Sequence, residues 1–107
     1  MKSTPWGQSQ HEEILAAGII SHGTAGHGGI WLSAKRVSQL KAGIGEYKNF
    51  LGNMTWWEED CDWSVPYVYF ANDIQAHGTA YKFIENLAAA HNTIQRSHPE
   101  IHKKLYR

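Results

Sequence analysis

The chain has 107 residues, with 10 Lys and Arg against 10 Asp and Glu, 7 His, 1 Cys and 5 Trp. That length fits one domain. Zero formal charge with a pI near 7.1 excludes a strongly basic nucleic-acid coat, and one cysteine excludes an intramolecular disulfide framework or a multi-cysteine zinc site. No stretch approaches the ~20 apolar residues that a membrane helix requires. Met1 to Gln10 is polar and has no apolar signal-peptide core. The expectation is a soluble protein of a reducing cytoplasm.

In chain order, apolar runs at Ile14 to Ile20 and at Ile30-Trp31-Leu32 flank a glycine-rich segment, residues 21–29. The runs read as paired strands and the glycines as their connection, because glycine tolerates backbone angles that other residues resist. Ser33 reads as the N-cap of a short helix over 34–42, with Leu32 and Val37 placed for a hydrophobic staple and Gly43 as the stop. Residues 43–53 read as loop, anchored by Tyr47, Phe50 and Leu51. Thr55 to Glu58 reads as a short strand, aromatics and β-branched residues favouring a pleated surface. Residues 63–71 are compatible with strand or helix. Helix is preferred, with Asp60 or Asp62 as its cap and Pro66 in its first turn. Thr79 caps a longer helix over about 79–95, whose apolar residues Ala80, Ile84, Leu87, Ala88, His91 and Ile94 recur at helical spacing. Ser97-His98-Pro99-Glu100 fits a capping box opening a last helix, 98–105. The expected fold is therefore one α+β domain, a small antiparallel sheet packed against two or three helices.

Net neutrality hides an uneven charge. Residues 58–73 hold five acids (Glu58, Glu59, Asp60, Asp62, Asp73) and neither Lys nor Arg. Residues 74–107 hold five Lys and Arg against two acids. Three places carry potential chemistry. The first is a candidate ligand loop, His22, His27, Gly28, Gly29 and Trp31. Glycine-rich backbone can present N–H groups to an anion, but the Walker ending and the Gly-x-Gly-x-x-Gly helix opening are both absent. The glycines serve equally as a sharp strand connection. The second is Trp56, Trp57, Glu58, Glu59, Asp60, Asp62 and Trp63. Acids between indoles suit a basic protein patch, the indoles acting as anchors. They suit a helix start or a divalent cation as well. A mixed metal site from His22, His27, Cys61 and an acid, or a Cys61–His nucleophile and base, is chemically conceivable, but no metal and no catalytic residue is assigned. The third is the tail, His91, Arg96, His98, His102, Lys103, Lys104 and Arg107, read as solvated helix ends rather than a phosphate-contacting patch.

The segments His27-Gly28-Gly29-Ile30-Trp31-Leu32-Ser33 and Trp57-Glu58-Glu59-Asp60-Cys61-Asp62-Trp63, with Trp6-Gly7 and Gly18-Ile19, resemble an uncharacterised domain family of phage and plasmid accessory genes. The resemblance covers about residues 6–70. A fainter likeness in layout is to antirestriction proteins of the ArdB type. These resemblances imply a mobile-element protein in a bacterial host cytoplasm. The implied function is an anti-defence inhibitor, an anti-CRISPR protein among the options, that binds a host defence protein complex stoichiometrically and occludes its nucleic-acid-binding surface. No cofactor, no membrane and no direct nucleic-acid binding are expected. The alternative is a small nucleotide-binding or metal-dependent enzyme using the glycine-rich loop and the acidic, Cys and His cluster.

Overall fold

Alternation of buried and open positions sets the central sheet. In the computed structural model, which describes residues 3–47 and 49–105, strands β3 (His11–Ala16), β4 (Ile19–Gly23), β5 (Gly28–Leu32) and β6 (Trp56–Glu58) form one antiparallel sheet in the order β3-β4-β5-β6. Ahead of it, β1 (Ser3–Thr4) and β2 (Gly7–Gln8) make a small hairpin. The expected single strand over 14–20 is divided, because Gly18 takes a positive φ of 76° and turns the chain between β3 and β4. The glycine-rich segment therefore joins β4 to β5. A register shift between Ile14 and Ala16 lets the consecutive residues Leu15 and Ala16 both enter the core.

Cross-strand partners share a face. Ile19 opposite Leu32 and Ile30 opposite Trp57 belong to the core face. Glu12 opposite His22, Ile20 opposite Trp31, and Trp31 opposite Trp56 belong to the other. The β1–β2 hairpin covers part of that second face. Trp6 meets Trp56 edge-on at 5.8 Å, and Ser9 Oγ lies 2.8 Å from His22 Nδ1.

Five helices close the core among the described residues: α1 (Ala34–Ile44), α2 (Ser64–Tyr69), α3 (Ala71–His77), α4 (Phe83–Ser97) and α5 (Pro99–Leu105). The α+β class is as expected. Leu40, Ile44, Val65, Ile74, Ile94 and Ile101 pack with the apolar sheet face, and burial of this kind supplies most of a small domain's stability. Trp57 is completely buried, with its indole N–H donated to the Met54 carbonyl at 2.8 Å.

Helix starts and stops differ from the sequence reading in four places. Ser33 does cap α1, accepting from Arg36 N at 3.2 Å. Gly43, however, lies inside α1, and the stop is Gly45 at φ 79°. The ring of Tyr69 fills the space that a Gly43 side chain would take. Segment 63–71 is helical, as preferred, but neither Asp60 nor Asp62 caps it; Trp63 is the N-cap and makes no side-chain cap bond. The long helix starts at Phe83 rather than Thr79, because Lys82 takes a left-handed backbone at φ 46°. Thr79 donates its hydroxyl to Ile14 O at 3.1 Å. Ser97 likewise ends α4 instead of capping α5, with its hydroxyl donated to Cys61 Sγ at 3.4 Å. The basic tail is only partly a solvated surface. His98 is buried, and Lys104 Nζ caps α1 through the Ile44 carbonyl at 2.7 Å. Met1 of the polar start and Arg107 of the tail lie outside the described residues.

Candidate functional site

The acidic and indole segment does not present one surface. After β6 the chain turns sharply, and Glu58 folds back over that turn. Its carboxylate accepts from Asp60 N at 2.7 Å, Cys61 N at 2.8 Å and Asp62 N at 3.0 Å. Three backbone donors thus hold a charge that the sequence reading assigned to a partner. Asp62 is buried. Its Oδ2 accepts from Phe50 N at 2.7 Å, and its Oδ1 lies 3.3 Å from His98 Nε2. Trp57 belongs to the core and Trp56 to the opposite sheet face, tilted against His22 at 5.6 Å. Glu59 and Asp60 are exposed, and Trp63 is half-buried. Trp57 and Asp62 are buried and so offer a partner no surface, whereas Glu58 is half-buried with its carboxylate engaged by the turn. A tight turn needs its N–H groups satisfied, and the nearest carboxylates do this.

The ligand-loop residues also separate. Gly28 and Gly29 are buried strand residues. A Cβ on Gly29 would stand 2.3 Å from the Trp57 carbonyl oxygen and 2.4 Å from the Trp6 ring. Glycine here allows two backbones and an indole to approach closely, a packing role that accounts for the glycine pair. His22 is buried against Ser9 and Trp56, whereas His27 is exposed, 3.7 Å from Glu59 Oε1. Cys61 lines a different groove from His22. Among the described residues, no three His, Cys, Asp or Glu side chains are grouped to hold a metal ion.

Two of the concave sites among the described residues hold residues of these segments. In one, Tyr47 Oη lies 2.6 Å from His98 Nδ1, extending the Asp62–His98 pair into a three-residue chain. Tyr47 also stacks on Trp57, with planes 4° apart. Burial raises the Tyr47 phenol above its ordinary value, and the negative charges of Asp62 and Glu100 add to the shift. Asn49, Phe50, Asp60, Cys61 and Ser97 line the same groove. Within this groove, however, Asp62 and Asn49 mainly organise the 49–56 loop, since Asn49 accepts from Leu51 N and Asn53 N and donates to Trp56 O.

The other site is a cleft of about 480 Å³ between the open end of the β3–β5 face and helices α2 and α4. Its lining includes Glu13, Ser21, Glu59, Trp63, Tyr67 and Asn86, and neither Lys nor Arg. Glu12 and His22 border it from strand positions that alternate toward the opposite face. Tyr67 is 3 % exposed, set by α2 between Trp63 at 5.4 Å and Phe83 at 6.0 Å. Burial raises its phenol pKa, the Asn86 amide opposes the shift, and the Glu13 charge adds to it. Of the residues expected at a partner surface, Glu59 and Trp63 reach this cleft. Glu13, Tyr67 and Asn86 were not anticipated, because they come from three distant segments and each reads locally as an ordinary strand or helix position.

No curated protein and no solved structure matches the chain. The family model of a domain of unknown function, DUF7007, matches residues 1–107, and the chain therefore belongs to that uncharacterised family.

Proposed function

We propose that this domain acts by stoichiometric binding, docking its acidic cleft face on a basic surface of a partner protein. The target class that the mobile-element resemblance implies is a host defence complex, an anti-CRISPR role among the options, with occlusion of a nucleic-acid-binding surface as the mechanism. The observation that carries the reading is the cleft itself: two carboxylates, Glu13 and Glu59, beside the Trp63 and Tyr67 rings, with neither Lys nor Arg in the lining. Exposed Asp60 adjoins Glu59 in the chain. Charges at such a rim steer association and select against acidic partners, and their effect weakens as salt rises.

The test uses purified restriction and CRISPR effector complexes, with their nucleic-acid binding followed by fluorescence anisotropy. The expected result is loss of binding by one such complex at equal stoichiometry, without turnover and with strong salt dependence. Replacing Glu59 and Asp60 by Lys restores nucleic-acid binding. Undisturbed binding in every complex, or inhibition at catalytic amounts of the domain, overturns the reading.

A further inference from the structure

The cleft has a floor that an acidic rim alone does not explain. Tyr67 is almost wholly buried, yet its hydroxyl makes no hydrogen bond of normal geometry. The nearby Asn86 amide uses one of its two N–H donors on the Tyr81 carbonyl at 2.9 Å, and its closeness to the phenol oxygen opposes the rise in the Tyr67 pKa without making a bond of normal geometry. A buried hydroxyl left in this way costs free energy unless something else meets it. Above it, Glu13 Oε2 accepts from Tyr81 N at 2.8 Å. No hydrogen bond among the described residues occupies its Oε1. Trp63 supplies an aromatic wall, and Glu59 and Ser21 add to a polar lining that His11, Glu12 and His22 border.

We infer that this cleft receives a single guanidinium group, an arginine side chain of the partner, with Tyr67 Oη and the Glu13 carboxylate accepting its N–H donors beside the Trp63 ring. The inference deepens the proposed docking reading and rests on it for the source of the arginine. Each part of the lining selects that chemistry. An anion meets two like charges. An apolar group strips water from two carboxylates and leaves the phenol unmet. A bare divalent cation lacks a grouped ligand set among the described residues. A guanidinium carries five donors in one plane, is weakly hydrated and stacks on aromatic faces, whereas an ammonium is a compact, strongly hydrated charge. Arginine is therefore preferred over lysine.

The experiment is an NMR titration of the 107-residue domain with N-acetyl-arginine amide, and separately with N-acetyl-lysine amide. Expected are saturable shifts of the Trp63 indole N–H and the Asn86 side-chain amide with the arginine probe, and severalfold weaker binding of the lysine probe. Glu13→Gln keeps an oxygen for Tyr81 N but removes the charge, and weakens arginine binding about tenfold. Tyr67→Phe acts in the same direction; should it fail to fold, Glu13→Gln carries the test. Overturning results are absence of saturable shifts at Trp63 and Asn86, equal binding of both probes, or an unchanged arginine affinity in Glu13→Gln. The two readings fail separately. Arginine binding with every defence complex undisturbed removes the anti-defence reading and leaves the cleft assignment. Inhibition of a defence complex by the wild-type domain, with no saturable arginine shifts at Trp63 and Asn86, removes the cleft assignment alone.

Discussion

His98 Nε2 and Asp62 Oδ1 stand 3.3 Å apart with both side chains about 6 % exposed, so a carboxylate from the acidic segment and an imidazole from the basic tail meet inside the protein. The same carboxylate accepts Phe50 N, and the same imidazole reaches Tyr47 Oη. One buried pair thus fastens the 45–55 loop to the junction of α4 and α5. Asp62→Ala leaves Phe50 N–H without its acceptor and removes the carboxylate that stands beside His98 Nε2. At about 1–3 kcal/mol for one buried donor left unmet, the expected loss is about 1–3 kcal/mol in urea unfolding. Asp62→Asn keeps an oxygen for Phe50 N and loses less. A change within about 0.5 kcal/mol for Asp62→Ala would show that the pair holds nothing.

Glycine positions separate packing from ligand binding. A methyl at Gly29 has backbone and indole in its way, whereas a methyl at Gly26 meets open space. Gly29→Ala is expected to destabilise by about 1–3 kcal/mol, as overpacking does. Gly26→Ala stays within about 0.5 kcal/mol. Thermal melts of the two variants decide it. Equal melting temperatures would reopen the loop to a role other than close packing.

Local patterns were legible in the sequence, and convergence was not. Ser33 ahead of an apolar periodicity marked the start of α1, and Trp56 and Trp57 marked a strand, because a cap and a pleated surface each need only neighbouring residues. The segment 71–77 did not announce a separate helix, since Phe70 breaks α2 from α3 through backbone angles alone. The acidic run misled for a related reason. Counting charges along the chain cannot reveal that Glu58 is consumed by three N–H groups two to four residues on. Nor can it reveal that Asp62 turns inward to His98. In the cleft, Glu13, Tyr67 and Asn86 meet only through the packing of β3 against α2 and α4. No spacing rule encodes that meeting.

Arg36 fastens another long-range junction. Its Nε donates to Ala17 O at 2.9 Å, its Nη1 reaches Asp73 Oδ2 at 2.6 Å and Gln39 Oε1 at 3.0 Å, and its guanidinium lies 5.0 Å from the Phe70 ring centre. A lysine can keep one of these contacts but not the planar set. Arg36→Lys is therefore expected to cost about 1 kcal/mol, the Asp73 end being half-exposed and screened. The Asp73 part of that loss shrinks in high salt, and the Ala17 part does not. Unfolding of Arg36→Lys, Asp73→Asn and the double variant at two salt concentrations separates the parts. Full additivity would deny the Arg36–Asp73 coupling.

Two phenols set the alkaline limit of stability. Tyr67 and Tyr47 both titrate above the ordinary 10.0, burial being the first cause in each. Their folded pKa values exceed the unfolded one, so the folded state holds each proton more tightly. Below pH 10 both states are protonated and the contribution is fully present. As pH rises from 10 through the folded pKa, the unfolded chain releases its protons first and stability falls. Urea unfolding free energy is thus expected to decline as pH rises above 10. Tyr67→Phe removes one titrating group and flattens that decline. Tyrosinate absorbance in the folded protein should show two phenols titrating above the ordinary 10.0. Should Tyr67→Phe keep the full alkaline slope, with no late-titrating phenol in the wild-type spectrum, the cleft floor is open to water. An arginine would then find there a hydroxyl already solvated rather than one waiting for a donor.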